Sequence, residues 1–264
     1  MKRSSGKIQM TSSKQHGVKS IHNAASLLRT VAGKNERGAS LRYLSKALDL
    51  HVETARRMLK ALVKEGLLIH DTETRLYHLG LELYNFGSAA FQFTMRDLAR
   101  PVLEKIAHET EDMVFLGIKS GTDVLPIDRV EGSFPIRAMT QEIGERLPLG
   151  IGSGSLAILA SLPDSNIKKI LRSNQRRYSR YNNRSSQWVR AQIPLVRKQG
   201  YAVSKGNVIA GATAVGVSIL NSKGHVLGSI SVSSISKRMP ESRQPEVAKL
   251  LCEEIESIDW EILK

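Results

Sequence analysis

The chain has 264 residues, 41% of them hydrophobic, with 39 Lys+Arg against 25 Asp+Glu and a formal net charge of +14. That length admits one large domain or two ordinary ones, and the charge favours a polyanion such as nucleic acid or an anionic membrane surface. The single cysteine, Cys252, excludes an internal disulfide and a cysteine metal cluster and fits a reducing cytoplasm.

The excess charge is uneven. Residues 1–80 hold 15 Lys+Arg and 6 Asp+Glu, the remainder 24 and 19. One part of the chain is thus expected to meet a polyanion and the other to do something else. Residues 1–17, rich in Ser, Lys and Gly, read as a flexible basic arm with no apolar run of signal-peptide type. No apolar run approaches the ~20 residues of a membrane helix, so the expectation is a cytoplasmic protein with no membrane partner.

Ser20 is placed to cap a helix over about Ile21–Ala32, and Ser40 a second, "LRYLSKAL". After the short turn "DLH", a third helix is expected from near Val52 to Gly66, with Ala55, Met58, Leu59 and Leu62 inward. "LLIH" and "RLYHL", separated by "DTET", read as a hairpin. Three helices and a hairpin give the order of a winged helix-turn-helix, expected over 18–80. Residues 81–99 read as one linker helix that pairs chains, because Phe86, Phe91 and Phe93 exceed one packing face; plain intrachain packing is the alternative. Pro101 is expected in the first turn of a new helix. Residues 100–264 mix strands ("MVFLGI", "DVLPIDRV", Ala214–Leu220, Leu227–Val232) with helices near Ser155–Ala160, Ser165–Leu171, Ser186–Gln199 and Glu246–Ile262. Without a regular βαβ alternation, the class is α+β.

In a helix-turn-helix the second helix enters the major groove with its N-terminal residues at base edges. Here these are His51, Val52, Glu53, Thr54, Arg56 and Arg57. Arg can grip guanine, Glu can accept from cytosine, and Thr can meet base or phosphate. Arg75 on the hairpin could reach phosphate or minor groove, and Lys60, Lys64, Lys19 and Arg42 are candidate phosphate contacts. The plainer reading is a solvated charged face. "RSNQRRYSRYNNR", Arg172 to Arg184, interleaves Arg with Tyr and could add stacking contacts to nucleic acid, but a solvated loop is favoured.

"LPLGIGSGSLAILA" offers a strand, a Gly/Ser turn and an apolar helix, whose first N–H groups can hold an anion. In "ISVSS", Ser231 and Ser233 share a strand face and could each bond a carboxylate oxygen. Catalysis has little support. The seven histidines show no metal-ligand spacing, and "GIGSGS" is neither a phosphate-binding loop nor a nucleophile elbow. Asp123 and Asp128 read as strand-end carboxylates without an acid–base partner. No metal or cofactor is expected.

From about Val18 to Met239 the chain resembles the IclR family of transcription regulators. The resemblance is carried by "VKSIHNAASLL", "TARRMLKALVKEGLL", "YHLG", "LARPVLEKIAHET", "DRVEG", "LPLGIGSGSLAILA", "RKQGYAV" and "GSISVSSISKRM", in that order. It implies a winged helix-turn-helix, a linker helix and a GAF-like effector domain. It also implies homodimers or tetramers on palindromic or near-palindromic operators, often at catabolic genes, that answer to a small organic acid. By resemblance Ser153, Gly154, Ser155, Ser231 and Ser233 contact the effector. Thr54 and Arg57 match the family's usual pair, while Val52 and Glu53 stand where many members carry Lys and Ser. After "GYAV", where the family commonly has acids, this chain has Ser204 and Lys205. Lys205 would favour an anion if it faces inward, and is otherwise a solvated lysine. Ala212, Ala214 and Gly216 would leave room for a bulkier ligand, so the expected effector is an organic acid, an aromatic one included. The competing reading is an architectural nucleic-acid protein without ligand control.

Overall fold

The computed structural model describes residues 18–88, 91–138 and 140–263. The arm expected over 1–17 lies outside them. The chain divides into two compact units, the first ending at residue 89 and the second beginning at residue 90.

In the first unit, α1 (Lys19–Ala32), α2 (Leu41–Ala47) and α3 (Val52–Lys64) precede a hairpin of β2 (Leu68–His70) and β3 (Leu76–Leu79). A two-residue strand before α2, β1 (Ala39–Ser40), joins β3, so the sheet runs β1-β3-β2, antiparallel throughout. Leu27 and Val31 of α1, Leu44 of α2 and Leu59 and Leu62 of α3 close over Leu68 and Tyr77. Each fully buried Leu stabilises the fold by roughly 1.5–3 kcal/mol. Ser40 caps α2, its hydroxyl accepting from the Tyr43 N–H at 3.3 Å. Ser20 does not cap α1. The helix starts at Lys19, and the Val18 carbonyl takes the N–H groups of Ile21 and His22, leaving Ser20 one residue inside.

The helix expected over 81–99 is divided between the units. Glu82–Ser88 forms α4 in the first, while α5 (Phe91–Thr110) belongs to the second. Pro101 starts no new helix; it lies inside α5. The missing proline N–H forfeits one bond to the turn before it. Burial outweighs that loss, because Met95, Ala99, Leu103 and Ile106 bury one continuous face.

The second unit is built on a six-stranded antiparallel sheet. Its strands are β4 (Met113–Ser120), β5 (Asp123–Val130), β6 (Leu147–Pro148), β7 (Ala202–Lys205), β8 (Ala212–Leu220) and β9 (Val226–Ile235), in the order β6-β5-β4-β9-β8-β7. The strand expected at the start of "LPLGIGSGSLAILA" is the two-residue β6, while β7 has no counterpart in the sequence expectations. On one face, Val114, Leu116, Val215, Val217, Ile230 and Val232 pack against α5 and α9 (Gln244–Glu256). The other face carries α6 (Ser153–Ala160), with α7 (Asp164–Tyr178) and α8 (Ser186–Gln199) outside it. Buried Asp112 anchors the start of β4. Its carboxylate accepts from Arg243 Nη1 at 2.8 Å, Arg238 Nε at 3.2 Å and Ser234 Oγ.

Candidate ligand pocket and nucleic-acid face

Strand alternation builds the pocket. With the β-branched residues of β4, β8 and β9 turned to α5, the opposite face receives Phe115 and Gly117, then Ala212, Ala214 and Gly216, then Ser229, Ser231 and Ser233. These residues are small because α6 lies almost on the sheet. A Cβ on Gly216 would come within 2.6 Å of the Gly154 nitrogen, and a Cβ on Gly154 within 2.7 Å of Ser229 Oγ. Gly216 therefore does not enlarge a ligand site, as the sequence reading supposed. The first turn of α6 fills that space.

A cavity of about 30 Å³ remains beside the start of α6. Ser153, Gly154, Ser155, Ser204, Ala212, Ala214 and Ser231 all line it. Ser229, Gly117, Phe115, Val124, Gly152, Val208 and Ile209 complete the walls, with Thr140 and Gln141 arriving from the segment between β5 and β6. Ser229 sits two residues before Ser231, so its face was legible from the same alternation. The contribution of Thr140 and Gln141 had no signal in sequence.

Two expected residues stand apart. Lys205 is exposed and its ammonium pairs with Glu241 at 2.6 Å. Its neighbour Ser204 is buried, as adjacent strand residues point to opposite faces. Ser233 shares the face of Ser231 but is not among the lining residues.

No ionisable side chain lines the cavity among the described residues. Its polarity comes from hydroxyls, the Gln141 amide and the N-terminus of α6, where the first N–H groups have no acceptor within the helix and the dipole is positive. Ser155 Oγ donates to the Gly152 carbonyl at 2.9 Å. Ser204 Oγ and Asn207 Nδ2 both donate to the Ile151 carbonyl at 3.2 Å, holding the turn that leads into α6. Among the described residues, the hydroxyls of Ser153 and Ser233 are buried without a partner. Such orphans are uncommon in folded proteins and point to a missing acceptor or donor.

The basic Arg172–Arg184 segment is not a loop over its first half. α7 runs on to Tyr178, whose ring is fully buried and whose Oη donates to the Leu149 carbonyl at 2.8 Å. Burial pushes the Tyr178 phenol up to about 12. The two strand-end carboxylates are held in ion pairs, Asp123 with Arg177 at 2.5 Å and Asp128 with Arg100 at 3.2 Å.

In the first unit α3 buries Ala55, Leu59 and Leu62 and exposes His51, Val52, Glu53, Arg56, Arg57, Lys60 and Lys64, with Thr54 half-buried. Arg56 Nε lies 3.5 Å from Glu53. A groove of about 500 Å³ between α3 and the hairpin brings Arg56, Lys60 and Arg75 together with His70, Thr72 and Tyr77. Arg75 has φ +58°, the left-handed region that side chains seldom adopt. Arg42 on α2 and Lys19 on α1 are exposed but do not line this groove. Among the described residues, no helix is long and apolar enough to cross a membrane.

Residues 88–260 match the family model for the bacterial transcriptional regulator IclR C-terminal. The HTH-type transcriptional regulator KipR of Bacillus subtilis is 28% identical over 191 residues, covering 72% of this chain and 76% of KipR. The HTH-type transcriptional repressor AllR of Escherichia coli is 24% identical over 231 residues, 87% of this chain and 84% of AllR. Among solved structures, the Thermotoga maritima IclR superposes with a TM-score of 0.73 at 25% identity, covering 90% of this chain and 96% of that one. An IclR homologue from Microbacterium hydrocarbonoxydans, complexed with 4-hydroxybenzoate, shares the fold with a TM-score of 0.75 at 19% identity, over 89% and 95% of the two chains. This chain belongs to the IclR family of bacterial transcriptional regulators.

Proposed function

We propose that the chain regulates catabolic genes as a sequence-specific DNA-binding protein, with a winged helix-turn-helix in the first unit and a GAF-like effector domain in the second. The observation that carries this reading is α3, buried along one side and cationic along the other, beside a hairpin that adds Arg75. In this assignment Thr54, Arg56 and Arg57, with His51, Val52 and Glu53, face base edges. Lys60, Arg75, Arg42 and Lys19 hold phosphate, which sets affinity and salt dependence. Two such units are needed to span a palindromic site. The exposed Leu81, Tyr84 and Phe86 near α4 support a homodimer or tetramer; the side chains of Phe91 and Phe93 lie outside the described residues.

The effector in this proposal is a small organic acid at the N-terminus of α6. Its carboxylate would be held by the free N–H groups of α6, with Ser153, Ser155, Ser229 and Ser231 around it. The Ser153 hydroxyl, without a partner among the described residues, supports a ligand there. A lining without cations favours one carboxylate over two, because a second would lie buried without positive charge. The cavity has room for about one water. An aromatic acid, of the kind bound by the Microbacterium homologue, would therefore enter only after Thr140, Gln141 and Ile209 move aside.

A gel shift against DNA flanking the chain's own gene, over a salt series and with scrambled competitor, tests the first half. Selective retention, lost in Arg57→Ala, is expected. Retention that ignores sequence and vanishes with modest salt would favour an architectural protein. A thermal-shift screen tests the second half: no rise in melting temperature with aliphatic or aromatic acids, alongside a rise with another class, removes the organic acid.

A further inference from the structure

A second cavity, of about 360 Å³, lies beyond α6, where α8 runs beside β7. β7 is an edge strand of the sheet. The chemistry of this groove is the reverse of the first pocket. Arg184 places its guanidinium 4.1 Å above the Trp188 ring. Its Nε and Nη2 donate to Asn207 Oδ1 at 3.1 and 2.9 Å, which leaves Nη1 for a further acceptor. Lys205 lies along the same groove, and its counter-ion Glu241 is 84% exposed. An ion pair so exposed is weak, so another carboxylate can take the place of Glu241. Leu195, exposed although aliphatic, and Val203 add apolar wall beside the indole.

We propose that this groove is a second small-molecule site, shaped for a carboxylate carried on an apolar ring. The carboxylate lies between Arg184 and Lys205, a charge-assisted pairing. The ring lies along Trp188 and Leu195, where an aromatic face gains offset or edge contacts. The volume falls in the roughly 300–1,000 Å³ range of ligand pockets, and a few placed polar groups on an apolar wall are their usual composition. The groove and the first pocket are neighbours without being one site. Leu156 of α6 lines the groove, whereas Ser153 and Ser155 line the pocket. Asn207 joins them, taking Arg184 on one side and the Ile151 carbonyl on the other. A ligand drawing on Arg184 therefore pulls on a residue that positions the turn before α6. The site stands independently of the DNA and effector assignments.

The test uses the full chain and benzoate, with inorganic phosphate as a charge-only control. Calorimetry is expected to give a saturable heat, and tryptophan emission to change with it. Both should persist in Ser231→Val, which narrows the first pocket, or in Ala212→Val should that variant fold better. Both should weaken at least about tenfold in Arg184→Gln/Lys205→Gln, and the emission change should disappear in Trp188→Phe. Benzoate binding lost in the pocket variants but kept in the double variant would overturn the proposal, as would the absence of saturable binding. Phosphate binding as tightly as benzoate would overturn the part assigned to the ring.

Discussion

On one face of the six-stranded sheet, β4, β8 and β9 present Val114, Leu116, Val215, Val217, Ile230 and Val232 to α5 and α9. On the other, the same strands present Gly117, Ala212, Ala214, Gly216, Ser229 and Ser231 to α6. The first face is filled by branched side chains at the density of an organic solid. The second gives up that packing so that a helix end can approach within backbone contact. What remains between them is a cavity walled by hydroxyls and by amide groups that the helix cannot use. The large residues therefore supply stability, and the small ones leave the cavity in which the proposed effector is placed.

Substitution should separate the two roles. Ile230→Ala, on the filled face, is expected to cost about 2–5 kcal/mol in chemical denaturation, the range for a large-to-small change at a fully buried site. Its response to the proposed effector, read as a ligand-induced rise in melting temperature, should survive where the variant remains folded. A cost under about 1 kcal/mol would mean that this face is loosely packed.

Tyr178 tests the layer behind α6. Its phenol is held near 12 in the fold against an ordinary value of 10. The unfolded chain therefore loses this proton first as pH rises. The stability tied to the neutral phenol is complete below pH 10 and is lost between about 10 and 12. Two units correspond to about 2–3 kcal/mol. Tyr178→Phe should cost about 1 kcal/mol at neutral pH, through the lost bond to the Leu149 carbonyl, and should flatten the alkaline decline. An unchanged decline in the variant would assign it to other groups.

Gly216→Ala is expected to cost about 1–3 kcal/mol. The new methyl meets the Gly154 nitrogen at 2.6 Å and the Ser153 carbonyl carbon at 2.7 Å, and neither can yield without moving α6. Unlike Ile230→Ala, it should abolish the ligand response even in the fraction that folds. A retained response would show that the start of α6 does not hold the ligand.

The sequence made the alternation in β4, β8 and β9 readable, because one period of two runs through each strand, and it made the Gly/Ser turn before α6 readable. The same alternation implied that Ser204 and Lys205 point apart, which rules out the inward lysine once β7 is known to be a strand. β7 itself is four residues long, too short for a pattern to stand out. The helix expected over Ser165–Leu171 is there, and the stripe Ile167, Ile170, Leu171, Asn174 and Tyr178 carries its spacing on to Tyr178, but the family resemblance implies a loop from Arg172 and hides that continuation. Tertiary contact decided the rest. Whether Gly216 leaves space or yields it to a helix depends on a neighbour 62 residues earlier. Whether Pro101 begins a helix or rides inside one depends on what Met95 and Ala99 pack against.

The smallest expected effect has the opposite sign. Ser153 Oγ and Ser233 Oγ are buried without partners among the described residues, and an unpaired buried hydroxyl is costly to desolvate. Ser153→Ala should leave the unliganded fold as stable as before or raise it by up to about 1 kcal/mol, a gain of roughly 2–4 °C in a unit of this size. It should at the same time weaken the ligand response, since the hydroxyl lines the cavity at the start of α6. Ser233→Ala should give a similar gain, and its effect on the ligand then measures how far along β9 the ligand extends. A loss of stability in Ser153→Ala would mean that the hydroxyl already has a partner, such as an ordered water, and would remove the main support for a ligand at that position.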